Sequence, residues 1–436
     1  MFSFVRPIAA TPAPRLCWRN DNRGGPARAG SAGGRADGER GAFPRQAAGR
    51  LGVRLFAATH KDIHDGYPDW LRAALAGVCA TDLTDVPRAL GDMEEFCRRH
   101  GIAAVAPCFE LFTPLAALLA ERTGLPGNDP RLARAARNKI LMGEAFAAAG
   151  IPAPRWAVAH DGAEAHRAAG AHGLGWPLVV KPAEQGGSWG VSVVDGPDRL
   201  AEAVGAARQY THAHPHGLEL DSRALLQEYV AGDEYSCDTV VADGVAYPLP
   251  VVAKDTTEGR YRIETGHTCP SGLPAPLVRK VQHTAARAAL AVGVRNGIAH
   301  TELKIPPGTQ TPYVIETGAR LPGDNLCEVV EAATGVSEAV AHLQAVLGLV
   351  PDTAASRTDA ASIRFLLPEH GGVLRQVVIP DLPGTHSEVH LRPGEVVPEP
   401  ADSTCRIGHV VARAETADRA RGLADRVAAR SRVEVG

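Results

Sequence analysis

Aromatic residues make up only 5% of this 436-residue chain, and its formal net charge is -3. Sparse aromatics and balanced charge supply neither the stacking surfaces nor the basic field that nucleic-acid binding needs, so the expected ligand is a small molecule. None of the eight cysteines falls in a C-x-x-C pair. A chain of this length can bury a core without disulfides, so the thiols read as reduced and the expected setting is a cytoplasm. No apolar run approaches the roughly 20 residues of a membrane helix, and no membrane partner is expected. The sequence G-x-x-x-x-G-K-[ST] is missing, so no P-loop can supply a phosphate site, and the first α/β segment has no G-x-G-x-x-G dinucleotide turn.

What remains exceeds one hydrophobic core, so two or three packed units are expected, with a cleft between them. Residues 1–50 are rich in Arg, Gly, Ala and Pro, which predicts a disordered leader; the low Ser content argues for an upstream translation start over a transit peptide. Apolar runs at Val53–Ala58 and Ala103–Pro107 predict strands, with helical patterns at Trp70–Leu75 and Thr113–Thr123. Asp129-Pro130 opens a further helical segment that Gly150 and Pro152 stop. Next come a strand at Pro177–Lys181, a glycine loop, a strand at Val191–Asp195 and a helix at Pro197–Tyr210. A strand at Leu225–Val230 turns at Gly232, and Tyr235–Val241 is expected to continue the same sheet. Helix Leu277–Val292 leads into strands His300–Ile305 and Tyr313–Glu316, and helix Ser337–Leu347 closes the unit. Beyond Pro351, strand-like runs at Ser362–Leu367, Val373–Ile379, Glu388–Leu391 and Cys405–Ala412, then a helix capped by Thr416, predict a compact α+β domain.

Chemistry concentrates in few places. In Val179-Val180-Lys181-Pro182-Ala183-Glu184-Gln185-Gly186-Gly187-Ser188-Trp189-Gly190, glycines permit a tight turn that aims N–H groups at phosphate oxygens, and a lysine leaving the strand adds a charge. Alone, this reads equally well as a hairpin with an incidental lysine. Gly186 to Gly190 also fits G-x-S-x-G, the nucleophile elbow of serine hydrolases, but an elbow requires a following helix and Val191–Val194 reads as a strand. Glu302 and Glu316 lie on strands joined by a turn at Pro306–Gln310, which brings both carboxylates to one end of a sheet. Two such groups suit Mg2+, which takes few protein carboxylates and completes its shell with substrate phosphates; the alternative is two solvated glutamates. Arg320 follows, placed to meet an anion.

Taken in order, these segments resemble the ATP-grasp superfamily over nearly everything after residue 50, within it the L-amino-acid ligases, and more distantly the D-alanine–D-alanine ligases and biotin carboxylase. The resemblance implies a mixed α/β and α+β fold: an N-terminal α/β domain at 51–127, an ATP-grasp domain at 128–348 with a lid at about 154–226, and a C-terminal α+β domain at 349–436. It implies that Lys139 and Lys181 hold phosphate oxygens, with Lys181 also near adenine, and that Gly186, Gly187, Ser188 and Gly190 close over the β- and γ-phosphates. In the hinge Gln227-Glu228-Tyr229-Val230, the Gln227 carbonyl and Val230 amide would read adenine, and Glu234 the ribose. Glu302 and Glu316 fall on the metal carboxylates and Arg320 on the arginine that steadies the carboxylate or acyl phosphate; Lys254 reads either as a further phosphate lysine or as a surface lysine. The cofactors implied are ATP and Mg2+, with Mn2+ as a substitute. Two positions depart from the family pattern: Gly318 stands where many members carry asparagine as a third metal ligand, and Gln227 replaces a common acid.

The implied activity is that of an ATP-dependent carboxylate–amine ligase acting through an acyl phosphate on small-molecule carboxylate and amine substrates, an amino acid among them. An ATP-grasp enzyme with another acceptor, such as bicarbonate or a purine precursor, is the first alternative and the serine hydrolase the second; a homodimer is compatible with the sequence. Three further features are set lower. His212–His216 reads as a solvated loop, His267 and Ser271 as substrate contacts or a structural turn, and Glu110 as a helix cap.

Overall fold

The computed structural model describes residues 2–7 and 45–436. Phe2–Pro7 corrects the expectation of a leader outside the fold: it is a strand, paired antiparallel to Val53–Thr59 on one side and Ala104–Pro107 on the other, with Val5 buried. Composition averaged over fifty residues masks a run of six. Residues 45–51 form a helix, and the remainder of the expected leader lies outside the described residues.

The N-terminal sheet is completed by Leu75–Ala80, parallel to Val53–Thr59. Helices Val86–His100 and Thr113–Thr123 cover it around Phe56, Met93, Phe96 and Leu119. Sequence pattern misses the strand Leu75–Ala80 and the helix Val86–His100, although the helix has clear signals: Asp85 caps the Arg88 amide, proline stands in its first turn, and Gly101 ends it left-handed.

A second, four-stranded antiparallel sheet runs in the order Trp156–Ala159, Ala224–Glu228, Leu178–Pro182, Ser192–Val194, and helices Gly162–Ala171 and Leu200–Arg208 pack on it. The strand Asp233–Ala242 does not continue this sheet, contrary to expectation. At Gly232 (φ +102°) the chain crosses to another, and a Cβ there would stand 2.1 Å from the Ile305 carbonyl oxygen, so only glycine permits the approach.

That third sheet holds eight antiparallel strands: Tyr313–Gly318, Gly297–Ile305, Asp233–Ala242, Val245–Thr256, Glu264–Cys269, Ala360–Leu366, Gly408–Ala414 and Thr385–Val389. Helix Ala275–Ala291 packs beneath it through Val281, Ala285, Ala288 and Ala289. The C-terminal strands are therefore an extension of the central sheet, joined where Glu264–Cys269 pairs with Ala360–Leu366. Only Gly372–Val378, Val396–Val397 and Arg432–Val435 form a separate small sheet. The last helix, Ala417–Arg430, starts at Thr416, whose hydroxyl accepts from the Arg419 amide. Among the described residues no helix is long and apolar enough to cross a membrane.

Candidate active site

Glu302 and Glu316 stand directly opposite each other on Gly297–Ile305 and Tyr313–Gly318, so their side chains share a sheet face. His300 lies two residues before Glu302, hence on the same face, with Nε2 3.4 Å from Glu302 Oε1 and Nδ1 2.6 Å from Asp238 Oδ1. Burial works against a charge on His300, yet Asp238 and Glu302 overcome it and raise the imidazole to about 9. Gly318, which stands where many members of the resembled family carry asparagine, faces His300 across the strand pair.

Three lysines surround the carboxylates. Lys139 opens the helix Lys139–Ala148 behind its cap Asn138, whose side chain accepts the Ile140 and Leu141 amides. The Asn138 amide also donates to Glu184 and Asp221, which fixes the helix start against the glycine loop. From there Lys139 Nζ donates to the Gln185 carbonyl at 2.5 Å and lies 3.0 Å from Glu316 Oε1. Lys254 Nζ lies 2.6 Å from Glu302 Oε1, 3.0 Å from Glu234 Oε1 and 3.8 Å from Glu264 Oε1, so it is buried in the site and not a surface lysine. Lys181 is 4% exposed and its ammonium has no hydrogen-bonding partner among the described residues. Burial depresses it to about 8, with Glu316 opposing that fall and Lys139 adding to it. A largely buried lysine whose ammonium bonds no described residue, beside two facing carboxylates, fits a ligand that brings phosphate oxygens together with a divalent cation.

Arg320 Nε donates to Glu110 Oε2 at 2.7 Å. Glu110 thus reaches the site from the N-terminal domain: it sits in the short turn Glu110–Phe112, where the cap positions of this turn and of the next helix fall to Phe109 and Phe112, and its carboxylate pairs with the guanidinium. A Cβ on Gly186 would stand 2.9 Å from Glu110 Oε1, so the glycine loop passes directly over this pair. Gly187, Ser188 and Gly190 have φ of +64°, +63° and +70°. The loop leads into Ser192–Val194, which pairs antiparallel with Leu178–Pro182, and the Ser188 hydroxyl meets the Arg262 carbonyl at 3.4 Å. A strand follows where an elbow needs a helix, and no histidine bonds the hydroxyl among the described residues, which overturns the hydrolase reading.

In the hinge, Gln227 and Val230 are buried. Glu228 is committed elsewhere: its amide donates to the Arg155 carbonyl and its carboxylate receives the Arg155 guanidinium at 3.1 Å, which leaves this side chain tying two lid strands together. Glu234 is paired with Lys254. His216 corrects the reading of a solvated loop, since its ring is buried edge-on to Phe112 with centroids 4.8 Å apart, packing the lid against the N-terminal domain.

Three family models match in chain order: ATP-grasp N-terminal domain at residues 45–127, ATP-grasp domain at 174–328, and L-amino acid ligase C-terminal domain 2 at 364–436. The chain carries an ATP-grasp domain, flanked by the N- and C-terminal domains of the other two models. Among relatives of this ATP-grasp chain, a D-alanine–D-alanine ligase of Paracidovorax citrulli is 27% identical over 252 residues, 55% of this chain and 72% of its own. Carnosine synthase 1 of Gallus gallus is 30% identical over 287 residues, 62% of this chain and 30% of its own. The crystal structure of an L-amino acid ligase from Bacillus licheniformis shares the fold with a TM-score of 0.74 at 20% identity, over 91% of this chain and 96% of that one.

Asp324 and Arg406 escape sequence reasoning, and His267, read as a substrate contact or a structural turn, is joined to them. His267 Nε2 lies 3.2 Å from Asp324 Oδ2; Arg406 joins Asp324 at 2.6 Å and Glu264 at 2.8 Å. This line continues through Lys254 to Glu302. His267 is the cross-strand partner of Lys254, a signal that becomes visible only once the strand register is known. The spacing of His300, Glu302 and Lys304 was readable, as alternate polar residues on one face of a strand.

Proposed function

We propose that this ATP-grasp chain is an ATP-dependent carboxylate–amine ligase whose carboxylate substrate is an amino acid. The observation that carries the reading is the facing pair Glu302 and Glu316 with Lys139 and the unpartnered Lys181 beside it. The match of residues 364–436 to an L-amino acid ligase domain favours an amino acid over other acceptors.

Glu302 and Glu316 would hold Mg2+, for which Mn2+ can substitute, and the ion supplies charge neutralisation on the triphosphate. Lys139 and Lys181 would offset the remaining phosphate charge, the Gly186 to Gly190 loop would cover the phosphates, and the hinge at Gln227 and Val230 would offer buried backbone to adenine and Glu234 a carboxylate to the ribose. The substrate carboxylate attacks the γ-phosphorus; the new P–O bond forms as the bond to ADP breaks. The amine nitrogen then attacks the acyl carbon, a C–N bond forms, phosphate leaves, and the nitrogen gives up a proton. Arg320, oriented by Glu110, steadies the negative charge that grows on the acyl oxygens. Closure of the glycine loop keeps out water that would hydrolyse the acyl phosphate.

The test is ADP release by the full chain over pairs of amino acids, with hydroxylamine as a trapping amine. ADP and hydroxamate formed together, only when a particular amino acid is present, support the proposal. ADP formation indifferent to every carboxylate and amine, or ester hydrolysis without ATP that Ser188→Ala abolishes, would sink it.

A further inference from the structure

Far along the central sheet, at its other edge, lies a second cluster that the ligase chemistry does not use. Glu388 is the direct cross-strand partner of His409, and His390 stands two residues beyond Glu388, so strand alternation places all three side chains on one face. One ligand atom from each lies within 4.8 Å of the others. His390 Nε2 is 2.9 Å from His409 Nδ1. Gly408 makes this closeness possible, because a Cβ there would stand 2.4 Å from the Glu388 carbonyl oxygen and force the two strands apart.

We infer that Glu388, His390 and His409 form a binding site for a transition-metal ion of the Zn2+ class, separate from the carboxylates of the phosphate site. Two imidazoles and one carboxylate are a nitrogen-rich donor set that suits Zn2+ or Co2+ and is rejected by Mg2+, which takes oxygen. Nitrogens sharing a tetrahedral Zn2+ stand about 3.3 Å apart, so the imidazole pair needs to open by only a few tenths of an ångström. The outer support is already in place. His409 is buried, and its Nε2 meets the Asn325 amide at 3.1 Å. With that amide turned over, its oxygen accepts the Nε2 proton and leaves Nδ1 for the metal, the arrangement that orients histidine ligands generally. Three protein ligands leave a fourth position for water. The ion clips the edge strand Thr385–Val389 to Gly408–Ala414, and through Asn325 it abuts Asp324, which holds His267 and Arg406.

Co2+ titrated into the chelator-stripped full chain gives a direct readout. The expectation is one saturable equivalent with the visible absorption of a near-tetrahedral site, displaced by Zn2+ and unaffected by excess Mg2+. His390→Ala and Glu388→Gln, both at positions that are not fully buried, should weaken it at least tenfold while leaving the circular dichroism spectrum unchanged. Zn2+ should raise the melting temperature of the parent chain and of neither variant. No saturable Co2+ spectrum, or one that both substitutions leave intact, overturns the assignment, and neither result depends on ligase activity.

Discussion

Lys254 reaches Glu302 across an intervening strand: its ammonium lies 2.6 Å from Oε1 although Asp233–Ala242 separates the two strands. Burial opposes both charges, but the attraction of Glu302, Glu234 and Glu264 holds Lys254 well above the usual lysine range, and Lys254 with His300 holds Glu302 well below the usual carboxylate range. Both groups therefore stay charged through the working pH range. The lysine neutralises acids that would otherwise repel one another.

Lys254→Met should destabilise the protein by about 3–5 kcal/mol, because it strips the shared cation from three carboxylates in a buried setting. A divalent ion can partly replace that charge. Thermal melts of the variant should therefore recover with Mg2+ and not with equal ionic strength of Na+, whereas the parent responds weakly to both. Equal melting temperatures for the two proteins in chelator would contradict the argument.

Glu316→Gln should reduce ADP formation by about a hundredfold or more, since a neutral amide is a poor ligand for Mg2+ and metal-site substitutions reach that size. Stability should change by less than about 1 kcal/mol, as the Glu316 side chain is 28% exposed and Lys139, its ion-pair partner among the described residues, keeps its bond to the Gln185 carbonyl. Steady-state ADP release and a melt on the same preparation separate the two effects. Full turnover would remove Glu316 from the metal site.

Gly190→Ala tests the loop. A Cβ there would stand 2.6 Å from Tyr210 Cε2 and 3.0 Å from Pro182 Cγ, at a φ of +70° that alanine resists. The expected result is a KM for ATP raised about tenfold or more with the global melt nearly unchanged, because the strain falls on a surface loop and not on a core. An unchanged KM would show that this turn does not shape the phosphate site.

The parts of the site legible in the sequence are those in which local pattern and chemistry coincide. The glycine run after Lys181 and two glutamates on predicted strands needed no knowledge of the fold. Glu110 with Arg320 was illegible because 210 residues separate them, and only docking of the N-terminal domain brings them together. Asp324 and Arg406 stayed hidden for a similar reason, and His267, read as a substrate contact or a structural turn, was legible without its partners: Glu264–Cys269 joins the C-terminal strands to the central sheet, and a strand reading E-T-G-H-T-C lacks the apolar alternation that would have announced it. Gly232 was correctly read as a turn, but not as a crossing between sheets, because the Ile305 carbonyl that demands glycine comes from a distant strand.

His216 gives the lid a pH dependence whose sign follows from burial. Its ring packs on Phe112, and burial depresses it from 6.5 to about 3. Between those values the unfolded chain binds a proton that the folded one refuses, so stability is complete above about pH 6.5 and declines as pH falls toward 3. His342, depressed by burial to about 4, and His409, to about 3, act in the same direction. His300 does not offset them: raised to about 9, its contribution is lost as pH rises through that value and is already complete below 6.5. From pH 7 to pH 5 each depressed histidine should therefore remove about 2 kcal/mol, at 1.36 kcal/mol per pH unit. His216→Phe keeps an aromatic ring against Phe112 and deletes the proton site, so urea unfolding of the variant should lose about 2 kcal/mol less than the parent over that interval. Equal slopes would mean that His216 titrates normally, and that the lid does not bury it against the N-terminal domain in solution.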